Sequence, residues 1–149
     1  MYEHRGNYAV EYSAQIQIGY PPQNFIVALD TGSSFLGFRA KSGSEDVMGY
    51  LYSDFVCIDT NPNHCFRQEF VCAQLIDDRD ETIADGILGM AWPSMSRNIT
   101  TPLEHLFANK MACPQAVFAF WLNRNPSEIA EGGELTLCGT DPSRYQAAR

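Results

Sequence analysis

One carboxylate stands where it could do chemistry: Asp30, in Ala28-Leu29-Asp30-Thr31-Gly32-Ser33-Ser34, between a short apolar run and a Gly-Ser-Ser turn. Hydroxyls and a freely turning glycine follow it, groups that can donate hydrogen bonds to an ionised carboxyl. Serine chemistry does not fit the same stretch. The window opened by Gly32 would be a G-x-S-x-G nucleophile elbow only if its last position were glycine, and Leu36 stands there. Acid–base work on water does fit, but it needs two carboxylates held at close range. Both cannot cheaply ionise, so one is charged and takes a proton from the water while the other is protonated and polarises the carbonyl under attack. Asp-Thr-Gly occurs once in the 149 residues.

Other chemistries are weaker. Cys57, His64, Cys65 and Cys72 match none of the common zinc spacings, and a disulfide uses the same sulfurs more simply, so no metal is expected. Five cysteines leave at least one thiol unpaired within the chain if the rest are oxidised. Cys57 and Cys65 bracket the turn-rich Ile-Asp-Thr-Asn-Pro-Asn-His, a loop that a disulfide would close at modest strain; partners for Cys72, Cys113 and Cys138 stay open. Asn98-Ile99-Thr100 is a formal glycosylation acceptor, of use only on a secretory route. His4 and His105 are expected at or near the surface without a catalytic role, and Trp92 and Trp121 as packing residues. Nothing points to a nucleotide or cofactor pocket. A formal charge of −8 argues against nucleic acid as a partner, because phosphate backbones attract a common face of Lys and Arg. No apolar stretch is long enough to cross a bilayer, and the first residues are too polar for a secretory signal, so no membrane segment or targeting segment is expected in this chain.

The elements that must position Asp30 are mostly strands. Tyr8, Val10, Tyr12, Ala14, Ile16 and Ile18 alternate with mostly polar neighbours, the pattern of a strand with one buried face. Gly19-Tyr20-Pro21-Pro22 stops it, and Phe25, Val27 and Leu29 resume the alternation, so a hairpin delivers Asp30 at the end of its second strand. Residues 40–49 and the charge run 77–81 are expected as surface loops. Tyr50–Ile58 and Phe66–Ile76 are expected as antiparallel neighbours across an Asn/Pro turn. Gly86-Ile87-Leu88-Gly89 is a short interior strand whose glycines predict close backbone approach. Thr101 as cap, Pro102, and Glu104 three residues after the cap predict a helix running to about Ala112 or Cys113, with Leu103, Leu106, Phe107 and Met111 on one face. Gln115–Leu122 and Glu134–Leu137 complete a mainly β domain with one substantial helix.

Ile16-Gln17-Ile18-Gly19-Tyr20-Pro21-Pro22-Gln23-Asn24-Phe25-Ile26-Val27-Ala28-Leu29-Asp30-Thr31-Gly32-Ser33-Ser34 resembles the amino-terminal lobe of the pepsin-like aspartic proteases, the pepsin and cathepsin D family. Ala84-Asp85-Gly86-Ile87-Leu88-Gly89-Met90-Ala91 resembles that family's hydrophobic-hydrophobic-Gly element, and the likeness covers residues 8–142. It implies a pepsin-like lobe, a partial double-psi β-barrel with one helix, acting as an aspartic endopeptidase on peptide or protein substrates, without a cofactor, in a secreted or lysosomal setting. It implies Asp30 as the first catalytic aspartate and Thr31 bonding across to a second lobe. Gly32 would donate a backbone hydrogen bond to the carboxylate and Ser33 would bond its outer oxygen. Ile87, Leu88 and Gly89 would support the loop from behind.

Two departures bear on activity. Members of the family carry a second Asp-Thr/Ser-Gly in a carboxy-terminal lobe, so residues 1–149 are expected to be a single truncated amino-terminal lobe needing a second carboxylate-bearing lobe. The family's first motif also runs on to a tryptophan, where this chain has Gly37, and a tyrosine-bearing flap should follow. Here residues 37–46 pass quickly to 47–56, which resemble the strand after the flap, so the flap is expected to be deleted. The expectation is a lobe inactive by itself. Its alternative is a non-catalytic β domain binding an extended peptide or protein segment by strand addition.

Overall fold

The computed structural model describes residues 1–5, 10–41, 49–75, 84–96, 98–123 and 132–145. Nine strands and one α-helix organise them: β1 (Tyr2–Arg5), β2 (Val10–Ile18), β3 (Gln23–Asp30), β4 (Leu36–Lys41), β5 (Gly49–Cys57), β6 (Cys65–Leu75), β7 (Gly86–Gly89), α1 (Pro102–Ala108), β8 (Phe118–Leu122) and β9 (Gly133–Leu137). Seven strands form one sheet in the order β1-β2-β3-β7-β4-β6-β5, and β5 pairs back onto β2, so six of them close into a barrel with β1 on its outside. The mainly β, pepsin-lobe-like fold with one substantial helix is therefore present. The charge run 77–81 and the greater part of the expected 40–49 loop lie outside the described residues, as does Tyr8.

The alternating pattern of the first hairpin does what it predicts. β2 and β3 pair antiparallel from Ser13↔Ala28 to Ile18↔Gln23, and Gly19 turns the chain at a φ of 87°, a left-handed conformation that glycine adopts at little cost. Ile16, Ile18 and Val27 reach the core, where Leu36, Phe38, Val56, Leu88 and Met90 meet them. Ser13 is fully buried on the face that alternation assigns to solvent, and at that point β2 is paired on both edges, with β1 at Tyr2↔Ser13 and with β3 at Ser13↔Ala28. β5 and β6 pair antiparallel over nine positions, from Gly49↔Ala73 to Cys57↔Cys65, and the last pair is joined by a disulfide, as expected of these two cysteines.

β7 is the strand that fixes the site. It lies between β3, to which it is parallel, and β4, to which it is antiparallel. Asp85 secures its entrance in a reciprocal exchange: its carboxylate accepts from Ile26 N–H at 2.8 Å and its own N–H donates to Ile26 C=O at 2.7 Å.

Several expectations need correcting. β4 extends through Ala40 and Lys41, part of the segment expected as a loop, because a parallel pairing with β6 up to Lys41↔Leu75 supplies backbone partners that polarity does not reveal. β8 starts at Phe118 rather than Gln115. The helix carries the expected capping box, Thr101 Oγ1 accepting from Glu104 N–H and Glu104 Oε2 from Thr101 N–H, but it stops at Ala108. Asn109 ends it. Its side chain accepts from Ala112 N–H at 3.2 Å, a local alternative to helical bonding, and Cys113 beyond it is tied to Cys138. Met111, expected on the apolar face, is 97% exposed past that end. Trp92 is 80% exposed and not a packing residue, whereas Trp121 carries the Arg144 guanidinium 4.1 Å above its ring. His105 is half-buried and stacks on Phe66; the side chain of His4 lies outside the described residues.

Candidate functional site

Asp30 is the last residue of β3, where the strand leaves the barrel and turns. Gly32 folds back so that its N–H donates to Asp30 Oδ1 at 2.8 Å, which orients the carboxylate from its own loop. The following residues are held from behind by the end of β7. Met90 N–H donates to Asp30 C=O at 2.7 Å, Ala91 N–H to Ser33 C=O at 2.8 Å, and Gly89 N–H to Phe35 C=O at 3.0 Å. Leu88 lies fully buried beneath, paired with Leu29 on one side and Leu36 on the other, while Ile87 pairs with Ala28 and Gly37. Three backbone bonds in six residues make a loop that cannot drift without breaking into the barrel.

Thr31 and Gly32 are exposed at the tip of the turn. Ser33 Oγ does not reach the carboxylate; it is buried without a hydrogen-bond partner, and so is Ser34 Oγ. Cys72, on β6, is the free thiol, raised above its ordinary value by burial. Asn98 is exposed, at a φ of 71° that asparagine tolerates.

A cleft of about 240 Å³ opens beside Asp30, walled by Ala28, Leu29, Ala84, Gly86 and Ile87, with Glu11 also on its lining. Sequence reasoning passed over Glu11. The β2–β3 ladder ends at Ser13↔Ala28, and beyond it Glu11 pairs with His4 of β1 while Asp30 pairs with Gly89 of β7, so only the shared cleft relates the two. A larger cavity of about 410 Å³ lies elsewhere, between the barrel and the β8–β9 hairpin, and the charged side chains on its lining are paired with one another. His64 Nδ1 meets Asp59 Oδ2 at 2.8 Å, and Arg144 Nη2 meets Glu134 Oε2 at 2.8 Å. Cys57 and Cys65 are joined to each other, and among the described residues no three His, Cys, Asp or Glu side chains converge as a ligand set.

A closed β lobe whose first hairpin ends on an aspartate, pinned by a glycine-flanked strand, defines the class: the chain belongs to the eukaryotic aspartyl protease family, whose profile matches residues 11–41 and 37–148. It is similar to aspartic protease 3 of Caenorhabditis elegans, 33% identical over 91% of this chain and 44% of that protein. It is likewise similar to procardosin-B of Cynara cardunculus, 31% identical over 91% of this chain and 33% of that protein, and to cathepsin D of Bos taurus, 30% identical over 93% and 46%. The chain thus spans less than half the length of these curated relatives.

Proposed function

We propose that residues 1–149 act as the amino-terminal lobe of an aspartic endopeptidase, supplying the first of two catalytic aspartates, and that the chain is inactive or nearly so by itself. The observation that carries this is the seating of Asp30: a strand-end carboxylate, oriented by Gly32 N–H, on a loop bonded at three points to the end of β7. In the two-lobe arrangement Asp30 and an aspartate of a second lobe hold one water. The ionised carboxylate takes a proton from it, the oxygen attacks the peptide carbonyl carbon, and the protonated carboxyl donates to the carbonyl oxygen. Thr31, exposed at the tip, would bond to the second lobe, Ser33 would turn its unpartnered hydroxyl to the site once the lobes meet, and Ile87, Leu88 and Gly89 would hold the loop.

Loss of the flap is part of the same proposal. The two matched stretches of the family profile meet at residues 37–41, and the alignment with aspartic protease 3 runs over 173 positions although this chain has 149 residues, so the relative carries positions with no counterpart here. The segment 42–48, next to that junction, lies outside the described residues. Peptide or protein substrate and a secreted or lysosomal setting follow from family, carbohydrate on the exposed Asn98 follows from its Asn-Ile-Thr acceptor, and all belong to this proposal; the two disulfides favour an oxidising compartment.

The test is complementation. The purified chain, assayed on haemoglobin at acid pH, should show no pepstatin-sensitive turnover. Mixed with or fused to the carboxy-terminal lobe of bovine cathepsin D it should gain such turnover, and Asp30→Asn should abolish it. Turnover by the chain alone that Asp30→Asn removes would overturn the one-aspartate reading; no gain with the second lobe would remove Asp30 from the chemistry.

One observation favours a second function, strand-adding peptide binding without catalysis. β5 pairs with β2 only at Val56 and Cys57. Gly19 N–H donates to Phe55 C=O at 2.9 Å, so Phe55 and, by alternation, Ser53, Leu51 and Gly49 turn their backbone groups away from β6. Tyr50, Leu51, Tyr52 and Phe55 are about half exposed along that edge, a surface onto which an extended segment could add. Peptide binding by a folded monomer without turnover in the complemented assay would select this function over the first.

A further inference from the structure

Resting on the open β5 edge described above as a strand-adding surface, we infer that the strand it takes up is β5 of a second copy of this chain, paired antiparallel about a two-fold axis at Leu51. Every residue from Gly49 to Phe55 is exposed, and among the described residues β2 covers their outer edge only from Val56 onward. Phe55 C=O is already taken by Gly19 N–H at 2.9 Å, so the open outward groups belong to Gly49, Leu51 and Ser53. One further contact reaches them, Arg67 Nη2 to Ser53 C=O at 3.4 Å, and it leaves that oxygen a second lone pair. Leu51 is the midpoint of this set, which decides the register. Pairing the edge with its own copy about Leu51 sets Leu51 opposite Leu51 and Gly49 opposite Ser53, so all three outward positions of both copies enter hydrogen-bonded pairs. A centre at Tyr52 would spend Gly49 on Phe55, whose carbonyl is occupied, and a centre at Tyr50 would set Ser53 against residue 47, before the start of β5.

The side chains agree with that register. It sets Tyr50 of each copy directly opposite Tyr52 of the other, two facing aromatic pairs on one side of the joined sheet. Within one copy Tyr52 already stacks on Phe70 with 6.3 Å between ring centroids, and Phe70 meets the core residue Phe38 edge-on at 5.5 Å. The paired tyrosines therefore prolong a row of rings that begins inside the barrel. Charge does not oppose the contact. Asp54 and its copy lie three residues to either side of the centre, roughly 20 Å apart, farther than the about 8 Å over which exposed charges act at physiological salt. Half exposure leaves on the order of 100 Å² each of Tyr50, Leu51 and Tyr52 in water, so two copies bring about 600 Å² of side chain as well as two backbone edges. That approaches the about 1,000 Å² at which specific contacts begin, so the pair is weak and reversible.

The experiment reads the register by disulfide capture. In this pairing the Cα atoms of Tyr50 and of Tyr52 in the second copy lie about 4.5 Å apart, within reach of a disulfide, whereas two Tyr50 or two Tyr52 positions lie about 7–8 Å apart, beyond it. Tyr50→Cys and Tyr52→Cys are each made in the full 149-residue chain on a Cys72→Ser background, because Cys72 faces Tyr50 across the β5–β6 ladder and would capture its thiol. Under mild oxidation a mixture of the two should form linked dimer about 10-fold faster than either variant by itself, with circular dichroism reporting the fold of each. The unaltered chain should sediment as a monomer–dimer equilibrium with a Kd of about 10–100 μM, tightening as added salt screens the charge of −8 on each copy. A mixture that crosslinks no faster than its components would overturn the register. A chain that stays monomeric to about 1 mM would overturn the second copy as partner. A synthetic peptide of residues 49–55 then decides the rest: its binding to the monomer leaves the strand-adding edge standing, and its failure to bind removes the edge as well.

Discussion

Gly89 lies directly across the parallel ladder from Asp30, and its lack of a side chain is what lets the aspartate's loop close down on β7. A Cβ at Gly89 would stand 2.5 Å from Phe35 N and 2.7 Å from both Phe35 O and Ser34 C. All three are backbone atoms, which cannot swing aside as a side chain would. Gly89→Ala is therefore expected to cost about 1–3 kcal/mol or more, as other overpacked positions do. The melting temperature should fall by several degrees, at roughly 2–4 °C per kcal/mol in a chain of this size. An unchanged melting temperature would mean that the loop does not rest on this strand.

The same pair shows what was legible in sequence. Alternating apolar residues and a Gly-Pro turn are local signals, and they placed Asp30 at the end of β3. Glycines at 86 and 89 announced a close approach, though not its partners. What was hidden is set by pairing between distant segments. β4 continues to Lys41 because β6 lies alongside it, and the outer edge of β2 is paired from Val10 to Ser13 by β1, a short polar strand with no pattern of its own. Glu11 is the instructive case. A charged residue in an alternating strand reads as solvent-facing, yet Glu11 lies on the lining of the cleft beside the aspartate. The helix end was hidden for a different reason: Asn109 and the Cys113–Cys138 bridge override an apolar periodicity that by itself runs on.

The two disulfides should differ in what they contribute. Cys57–Cys65 spans a sequence separation of 8 and Cys113–Cys138 one of 25. By loop-closure entropy the shorter contributes about 2.5 kcal/mol and the longer about 3.5 kcal/mol. Cys57 and Cys65 are also neighbours in the β5–β6 ladder, so their strands stay paired without the bond, whereas Cys113–Cys138 fastens the end of the helical segment to the β8–β9 hairpin. Urea titrations of Cys57→Ser/Cys65→Ser and Cys113→Ser/Cys138→Ser should rank the second as the less stable. The reverse order would indicate that the hairpin docks on the barrel without help from the bridge.

Cys72 gives a pH-dependent readout. Burial holds its thiol above the ordinary value of 9.0. In the native chain it should react with iodoacetamide more slowly at pH 8 than a small free thiol, because the thiolate is the nucleophile, and unfolding should release one reactive thiol per chain. The sign of the linkage follows. Between its unfolded and folded values the native thiol keeps a proton that the unfolded chain has lost, so this group lowers stability as pH rises past about 9.0 and contributes nothing to pH dependence well below it. Cys72→Ser should flatten that alkaline decline in a series of melts. A native rate matching that of the unfolded chain would show the thiol to be open to solvent.

The unpaired edge of β5 should govern self-association. Leu51 is 53% exposed, its backbone groups turn away from β6, and exposed Tyr50, Tyr52 and Phe55 accompany it. The one charged residue on the strand, Asp54, lies towards its end and accepts from Phe55 N–H at 2.7 Å, so the exposed stretch Tyr50–Tyr52 carries no charge of its own against an incoming strand. Lysine on an exposed edge opposes such pairing, because adding a second strand would bury or crowd its charge. Leu51→Lys removes a side chain that is more than half in water, so the melting temperature should change little, within the about 0.5 kcal/mol usual for surface positions. Sedimentation velocity at rising concentration should show the unaltered chain associating and the variant remaining monomeric for longer. Equal association of the two would place the contact on another surface, and with it would go the strand-adding function proposed for this edge.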